Sequence, residues 1–286
     1  MGAAEAGYRQ AAAAGDPDAA FQLGLILQER GDHAAAAHAY EPAVAGGSNE
    51  AMLNLAILYG YELGRPEEAI GLYRDLIDRG DARGSLELGA LLAHEDRTDE
   101  AETALRQAIE NDEPRAYMEL GLLLSAAGRH EEALALYRTA LALGLDAAWS
   151  HLAWELMHLD RLEEAEEAAR QAVSAGEPGG YAVLGVMLHQ RGRFDEAEQS
   201  FEEAIQKGEP DAWLPYAEML ADSEGREDEA EAVYRQALEH GDPDAAAALA
   251  EFLSELGRAD EARELLTDEL THRPGDKKLL RALESL

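Results

Sequence analysis

The stretch from Glu177 to Gly208, EPGGYAVLGVMLHQRGRFDEAEQSFEEAIQKG, is the unit from which the rest of the chain is built. At helical spacing, Tyr181, Leu184, Gly185 and Leu188 form one apolar stripe. After an interruption at Gly192, Phe194, Ala197, Phe201, Ala204 and Ile205 form a second. The pattern predicts two amphipathic helices, A and B, joined by a short turn. Pro178 suits the first position of helix A, and Glu177 before it suits the positive end of the helix dipole. Lys207 and Gly208 suit the end of helix B. Gly185, Ala197 and Ala204 are small where two helix axes must approach, while Tyr181 and Phe201 fill the space beside them. One such hairpin cannot bury both of its faces, so it must stack on copies of itself.

The copies are present. The junction before helix A recurs at Gly15, Gly47, Gly80, Asp112, Gly144, Gly176, Gly208 and Gly241, a period of 32 residues, or 33 where one has been inserted. The pair Leu184-Gly185 appears elsewhere as Leu23-Gly24, Leu55-Ala56, Leu88-Gly89, Leu120-Gly121, Leu152-Ala153, Tyr216-Ala217 and Leu249-Ala250. Ala197 is matched by Ala36, Ala69, Ala101, Ala133, Ala165, Ala230 and Ala262. Phe201 is matched by Tyr40, Tyr73, Leu105, Tyr137, Ala169, Tyr234 and Leu266.

This set of positions resembles the tetratricopeptide repeat over nearly the whole chain. Tyr117, Trp149, Tyr181 and Trp213 stand at that family's leading aromatic position, whereas Ala20, Met52, Ser85 and Ala246 depart from it. The period is shorter than the family's, and junctions such as Ala11 to Ala19 look like those of the related Sel1-like repeat. The resemblance implies an all-α fold, a right-handed superhelical α-solenoid of about eight helix-turn-helix repeats with half-repeat caps. Residues 1–286 are expected to be a single solenoid: 1–15 a helix B half repeat or cap, 16–275 eight repeats, and 276–286 a C-terminal capping helix.

Composition restricts function. The formal net charge is −35, from 59 acidic and 24 basic residues, which disfavours nucleic acid and anionic membranes as partners. Solubility is the simplest reading of that charge; adaptation to high salt and selection of basic partners are alternatives. Cysteine is absent, excluding disulfides and cysteine chemistry. No apolar run is long enough to span a membrane and Met1 to Gly15 does not read as a leader, so a cytoplasmic location is expected. The preference for arginine over lysine, with much alanine, suggests a bacterial source. No phosphate loop, nucleophile elbow or metal motif appears, so no cofactor, metal or enzymatic activity is expected. Pro42 and Pro215 are expected to bend or break their helices, and the extra residues near Tyr61 to Gly64 and Asp222 to Gly225 to fall in turns.

What remains is surface recognition. The resemblance assigns the concave groove to helix A, at Arg83 and His94, then Arg115, Met118 and Leu122. Further along come Trp154, Met157 and His158, then Val186 and His189, then Glu218, Asp222, Glu251 and Glu255. The expected activity is a protein–protein interaction scaffold that binds a peptide or protein segment there. Its ligand is expected to bear a large apolar anchor for Trp154, an acidic group toward Arg83 and Arg115, and basic residues toward the C-terminal acids. Alternatively, Arg83 and Arg115 pair with neighbouring acids, and Met118 and Leu122 belong to inter-repeat packing. At the level of function, the alternatives are a ligand- or peptide-sensing regulatory array of a larger protein, or a structural spacer that self-assembles end to end. If the charge strains the fold, the melting temperature should rise from low to physiological salt as self-repulsion is screened. A flat response would show acids too far apart to matter, and continued stabilisation at molar salt would mark adaptation to high salt.

Overall fold

A computed structural model describes residues 3–286, and among them every regular element is helical. The chain divides into two compact units, one ending at Leu143 and the other starting at Gly144. In the first, α1 (Ala3–Ala13) is followed by the hairpins α2 (Pro17–Glu29) with α3 (His33–Ala45), and α4 (Asn49–Ile57) with α5 (Pro66–Asp78). Then come α6 (Arg83–His94) with α7 (Thr98–Glu110), and α8 (Arg115–Ala126) with α9 (His130–Ala142). The second unit holds α10 (Trp149–His158) with α11 (Leu162–Ala175), α12 (Pro178–Gln190) with α13 (Phe194–Gln206), and α14 (Trp213–Ala221) with α15 (Glu227–Glu239). It ends with α16 (Ala245–Glu255), α17 (Ala259–His272) and α18 (Lys277–Ser285). Within each unit a helix packs on its partner in the hairpin and on the next hairpin, as a stack of repeats requires.

The close approach of A and B is set by one side chain. A Cβ placed on Gly121 would lie 2.5 Å from the Tyr137 ring, on Gly24 2.3 Å from Tyr40, on Gly89 2.5 Å from Leu105, and on Gly185 2.7 Å from Phe201. Tyr40, Tyr137 and Phe201 are essentially inaccessible to solvent, and burying such a ring contributes roughly 1.5–3 kcal/mol. Helix A is covered on a broader front than one stripe. In α12, Val183 and Met187 are buried while Tyr181, Leu184 and Leu188 are half-buried, because helix A lies between its own helix B and the neighbouring hairpin.

The junctions also follow the repeat. Gly15, Gly47, Gly80, Gly144, Gly176, Gly208 and Gly241 all have positive φ, and Asp112, which takes the glycine's place, adopts φ 58°. Asp16, Ser48 and Asp276 cap α2, α4 and α18 through side-chain oxygens. Glu177 stands at the N-terminus of α12, as expected, and its side chain also reaches beyond that helix: its Oε2 accepts the Ser150 N–H at 3.0 Å, placing a carboxylate on the N-terminus of α10, one repeat back.

Three irregularities resolve differently from the sequence expectation. Helix α3 continues through Pro42, which is exposed, so its ring meets solvent. Pro215 lies in the first turn of α14, where the missing N–H has no intrahelical acceptor, and the helix is unbroken. The residue inserted near Tyr61 is wound into a π-helical turn, Leu58–Glu62, instead of lengthening the loop; the Leu63 N–H bonds the Leu58 carbonyl at 2.9 Å.

Helix B opens on arginine. Arg97 holds Glu100 three residues on, in a bidentate pair with both bonds at 2.8 Å, and reaches back to Glu67 of α5 at 2.8 Å. Arg129 repeats this with Glu132 and with Glu102 of α7 at 2.6 Å. In the second unit Arg226 links Glu229 to Glu198, and Arg258 links Glu261 to Glu231. At these four positions the ladder ties helix B both to itself and to the preceding helix B.

Replacing Gly121 or Ala133 by leucine should lower stability by about 1–3 kcal/mol through overpacking, and wild-type melting of both variants would refute the assigned contact. The Arg129 and Arg106 guanidiniums hold the Glu102 carboxyl below its ordinary value of 4.5. Its contribution is therefore present above that value and lost as pH falls through the lowered one. Glu102→Gln should melt below wild type at neutral pH, with the gap closing under acid conditions; a pH-independent gap would exclude ionic linkage.

Candidate functional site

The exposed stripe of helix A is in register along the first unit. Glu50, Asn54, Ile57 and Tyr61 on α4 and its π-turn correspond to Arg83, Glu87, Ala90 and His94 on α6, and to Arg115, Glu119, Leu122 and Ala126 on α8. Within each helix these residues recur at i, i+4, i+7 and i+11, which aligns them on one face.

Arg83 commits its guanidinium to the protein's own acids. It donates to both oxygens of Asp81, at 2.9 and 2.6 Å, and to Glu50 at 3.4 Å. Arg115 is freer: its side chain is 67% exposed, and its nearest carboxylate, Glu87, is 4.0 Å away. His94 packs edge-on against Tyr61 with ring centres 5.5 Å apart. Met118 is half-buried and Leu122 is 41% exposed, on a helix that buries Leu120 and Leu124 and half-buries Leu123.

In the second unit Trp154 is half-buried and stacks on His158 with ring centres 6.2 Å apart, Met157 beside them also half-buried. Val186 packs against the apolar core of that unit. His189 lies 5.6 Å from the Phe194 ring and 3.6 Å from the Asp222 carboxylate. Glu218 and Glu251 are exposed, and the structure gathers both with Asp222 and Glu255 around one point, the hydroxyl of Tyr234. Burial and then these four acids push the Tyr234 hydroxyl above its ordinary range. Desolvation, followed by Asp222 and Glu251, also raises the Glu218 carboxyl against the opposing pull of His189. Glu251 and Glu255 line a shallow depression with Ala247 and Ser254.

Some of this face escaped the sequence reading. Glu87 and Glu119 share the stripe with Arg83 and Arg115 but sit one turn on, so a reading that follows the arginine and the aliphatic positions skips them. Burial raises the Glu87 carboxyl, Arg115 opposes, and Glu119 and Glu113 add to the rise. The Arg-x-x-Glu signature opening each helix B from Arg65 onward was visible in the sequence and accounts for seven of the 21 arginines. Among the described residues no group of three or more metal-ligand side chains converges, and no helix is long and apolar enough to cross a membrane.

Comparison with known proteins agrees with the repeat geometry. Family models described as tetratricopeptide repeat match residues 21–85, 55–116, 86–150, 118–180, 150–212 and 221–286. No curated protein matches the sequence. Among solved structures, a thermophilic tetratricopeptide repeat protein of Thermus thermophilus is 29% identical, with a TM-score of 0.52 over 60% of this chain and 97% of that one. A Sel1 repeat protein of Oxalobacter formigenes is 20% identical, with a TM-score of 0.56 over 77% of this chain and 99% of its own. Yeast Tom70 shares 16% identity and a TM-score of 0.65 over 88% of this chain, which spans 57% of that protein. With matching models over residues 21–212 and 221–286 and the helix A to helix B contact in place, the chain belongs to the tetratricopeptide repeat family.

Proposed function

We propose that the chain is a protein–protein interaction scaffold that holds a peptide or protein segment along its helix A faces. The observation carrying this reading is how charge and apolar surface are divided. Helix B consumes arginines in its ladder, whereas helix A leaves Trp154 half-open, Leu122 exposed, and Glu218, Glu251 and Glu255 without an ion pair among the described residues. Unneutralised carboxylates beside an amphipathic ring contribute little to folding but suit a segment that brings a large apolar anchor and basic side chains. With Arg83 satisfied internally, a ligand carboxylate would be met by Arg115. The fold generally serves protein–protein interaction, which is consistent with this assignment.

The test is a partner recovered from native lysate and then titrated as purified protein. Trp154→Ala should weaken it by tenfold or more, as loss of an aromatic anchor does, with the melting temperature nearly unchanged. Unaltered affinity in a folded Trp154→Ala protein would remove the second unit's helix A face from the binding surface.

A further inference from the structure

One helix B departs from an ion pairing that others share. Nine residues beyond the arginine that opens it, helix B carries a second arginine: Arg74 in α5, Arg106 in α7, Arg138 in α9, Arg170 in α11 and Arg235 in α15. Arg106 and Arg235 donate back one turn to Glu102 and Glu231, each at 2.6 Å, and Arg170 donates to Glu166 in the same way. In α13 the position is Glu202, and in α17 it is Thr267. Glu198, one turn before Glu202, is held instead by the Arg226 guanidinium, at 2.7 and 2.9 Å, and by the Tyr216 hydroxyl at 3.0 Å. Glu202 is exposed, and the neighbouring cations are engaged elsewhere, Lys207 with Glu203 and Arg226 with Glu198 and Glu229.

The exchange of charge falls on a depression of about 550 Å³. Gln199 and Glu202 of α13, Trp213 of α14 and Gln236 of α15 line it, and no lysine or arginine does so among the described residues. The next such groove, made by α15, α16 and α17, contains its own guanidinium: Arg235, the counterpart of Glu202, lines it together with Glu261, Glu264 and Asp268. A repeat that breaks its own rule without a gain in folding marks a place where function is expected.

We propose that Gln199, Glu202, Trp213 and Gln236 form a docking subsite for an arginine side chain of a partner protein, which takes the place of the guanidinium that the next groove supplies from its own helix. A guanidinium has donors in a fixed fork and no acceptor. The Glu202 carboxylate can take that fork, and the carboxamide oxygens of Gln199 and Gln236 accept from the remaining N–H groups. The planar cation can lie against the Trp213 indole, whose ring stacks on His240 with centres 4.9 Å apart. An ammonium meets the carboxylate only as a point charge. The walls of this groove are helices B, so the subsite is separate from the helix A face and does not rest on the reading proposed for that face.

The probe is Nα-acetyl-arginine methylamide, titrated into the full chain at physiological salt while the Trp213 indole N–H and the Glu202 and Gln236 amides are followed by NMR. Saturable shifts of these resonances are expected, with the lysine counterpart bound several-fold more weakly. Glu202→Gln should weaken the probe about tenfold, in line with loss of a charge-assisted bond. Glu202→Arg, which restores the residue of the other helices, should melt no lower than wild type and lose the probe altogether; Glu202→Gln, which keeps the shape of the side chain, carries the test should Glu202→Arg fail to fold. Non-saturating shifts, equal affinity for the lysine probe, or unchanged affinity in either folded variant would overturn the subsite. Agmatine or free arginine bound about tenfold more tightly than the blocked residue would overturn a protein side chain as the source.

Discussion

The contact between a glycine or alanine of helix A and the ring or leucine side chain of helix B governs this protein. A single added carbon at Gly24, Gly89, Gly121 or Gly185 would collide with the partner side chain, so the distance between the two helices of a hairpin is fixed by what helix A lacks. With that distance fixed, each hairpin presents its remaining apolar surface to the next, and burial is completed only by repetition. The same contact sends the tip of each helix B tyrosine toward the exposed face of helix A. The chemistry of that face therefore depends on which hydroxyls arrive there and which side chains meet them. Tyr40 meets Gln28 and Asn54, whereas Tyr73 has no hydrogen-bond partner among the described residues.

Charge is organised by the same geometry. Arg97, Arg129, Arg226 and Arg258, which open helices B, each hold two carboxylates, one a turn ahead and one in the preceding helix B. Exposed pairs of this kind contribute little individually, but as a connected network they hold neighbouring repeats in one register. The acids at the C-terminal end of the helix A face have no such partners among the described residues, with Asp222 facing only His189. In a protein of net charge −35, these acids are among those that no arginine or lysine neutralises among the described residues.

Periodicity made much of the fold readable from residues alone, because small residues at Gly121 and Ala133 and a ring at Tyr137 have one arrangement that packs. Asp112 illustrates why: it breaks the glycine pattern in composition but keeps the left-handed backbone that the junction requires. The π-turn was not readable, since a one-residue insertion near Tyr61 fits a longer loop as well as an overwound helix, and only packing around Leu58 and Tyr59 decides between them. Glu177 was readable only in part for a similar reason: its place at the start of α12 follows from Pro178, while its bond to the Ser150 N–H depends on how the neighbouring repeat packs. On the candidate site, Leu122 lies exposed and Glu218, Asp222, Glu251 and Glu255 gather about Tyr234. The engagement of Arg83 by Asp81 and Glu50 depends on side-chain geometry that spacing does not encode.

The placement of the indoles has a practical corollary. All three tryptophans, Trp149, Trp154 and Trp213, fall after Gly144, in the second compact unit, while the first unit has tyrosine but no tryptophan. Emission excited at the red edge of the aromatic band is therefore a local reporter of the C-terminal half, whereas far-ultraviolet circular dichroism sums helices from both. In a protein stabilised repeat by repeat, those two optical signals need not change together during denaturation. Any separation between their midpoints measures how far cooperativity extends along the array.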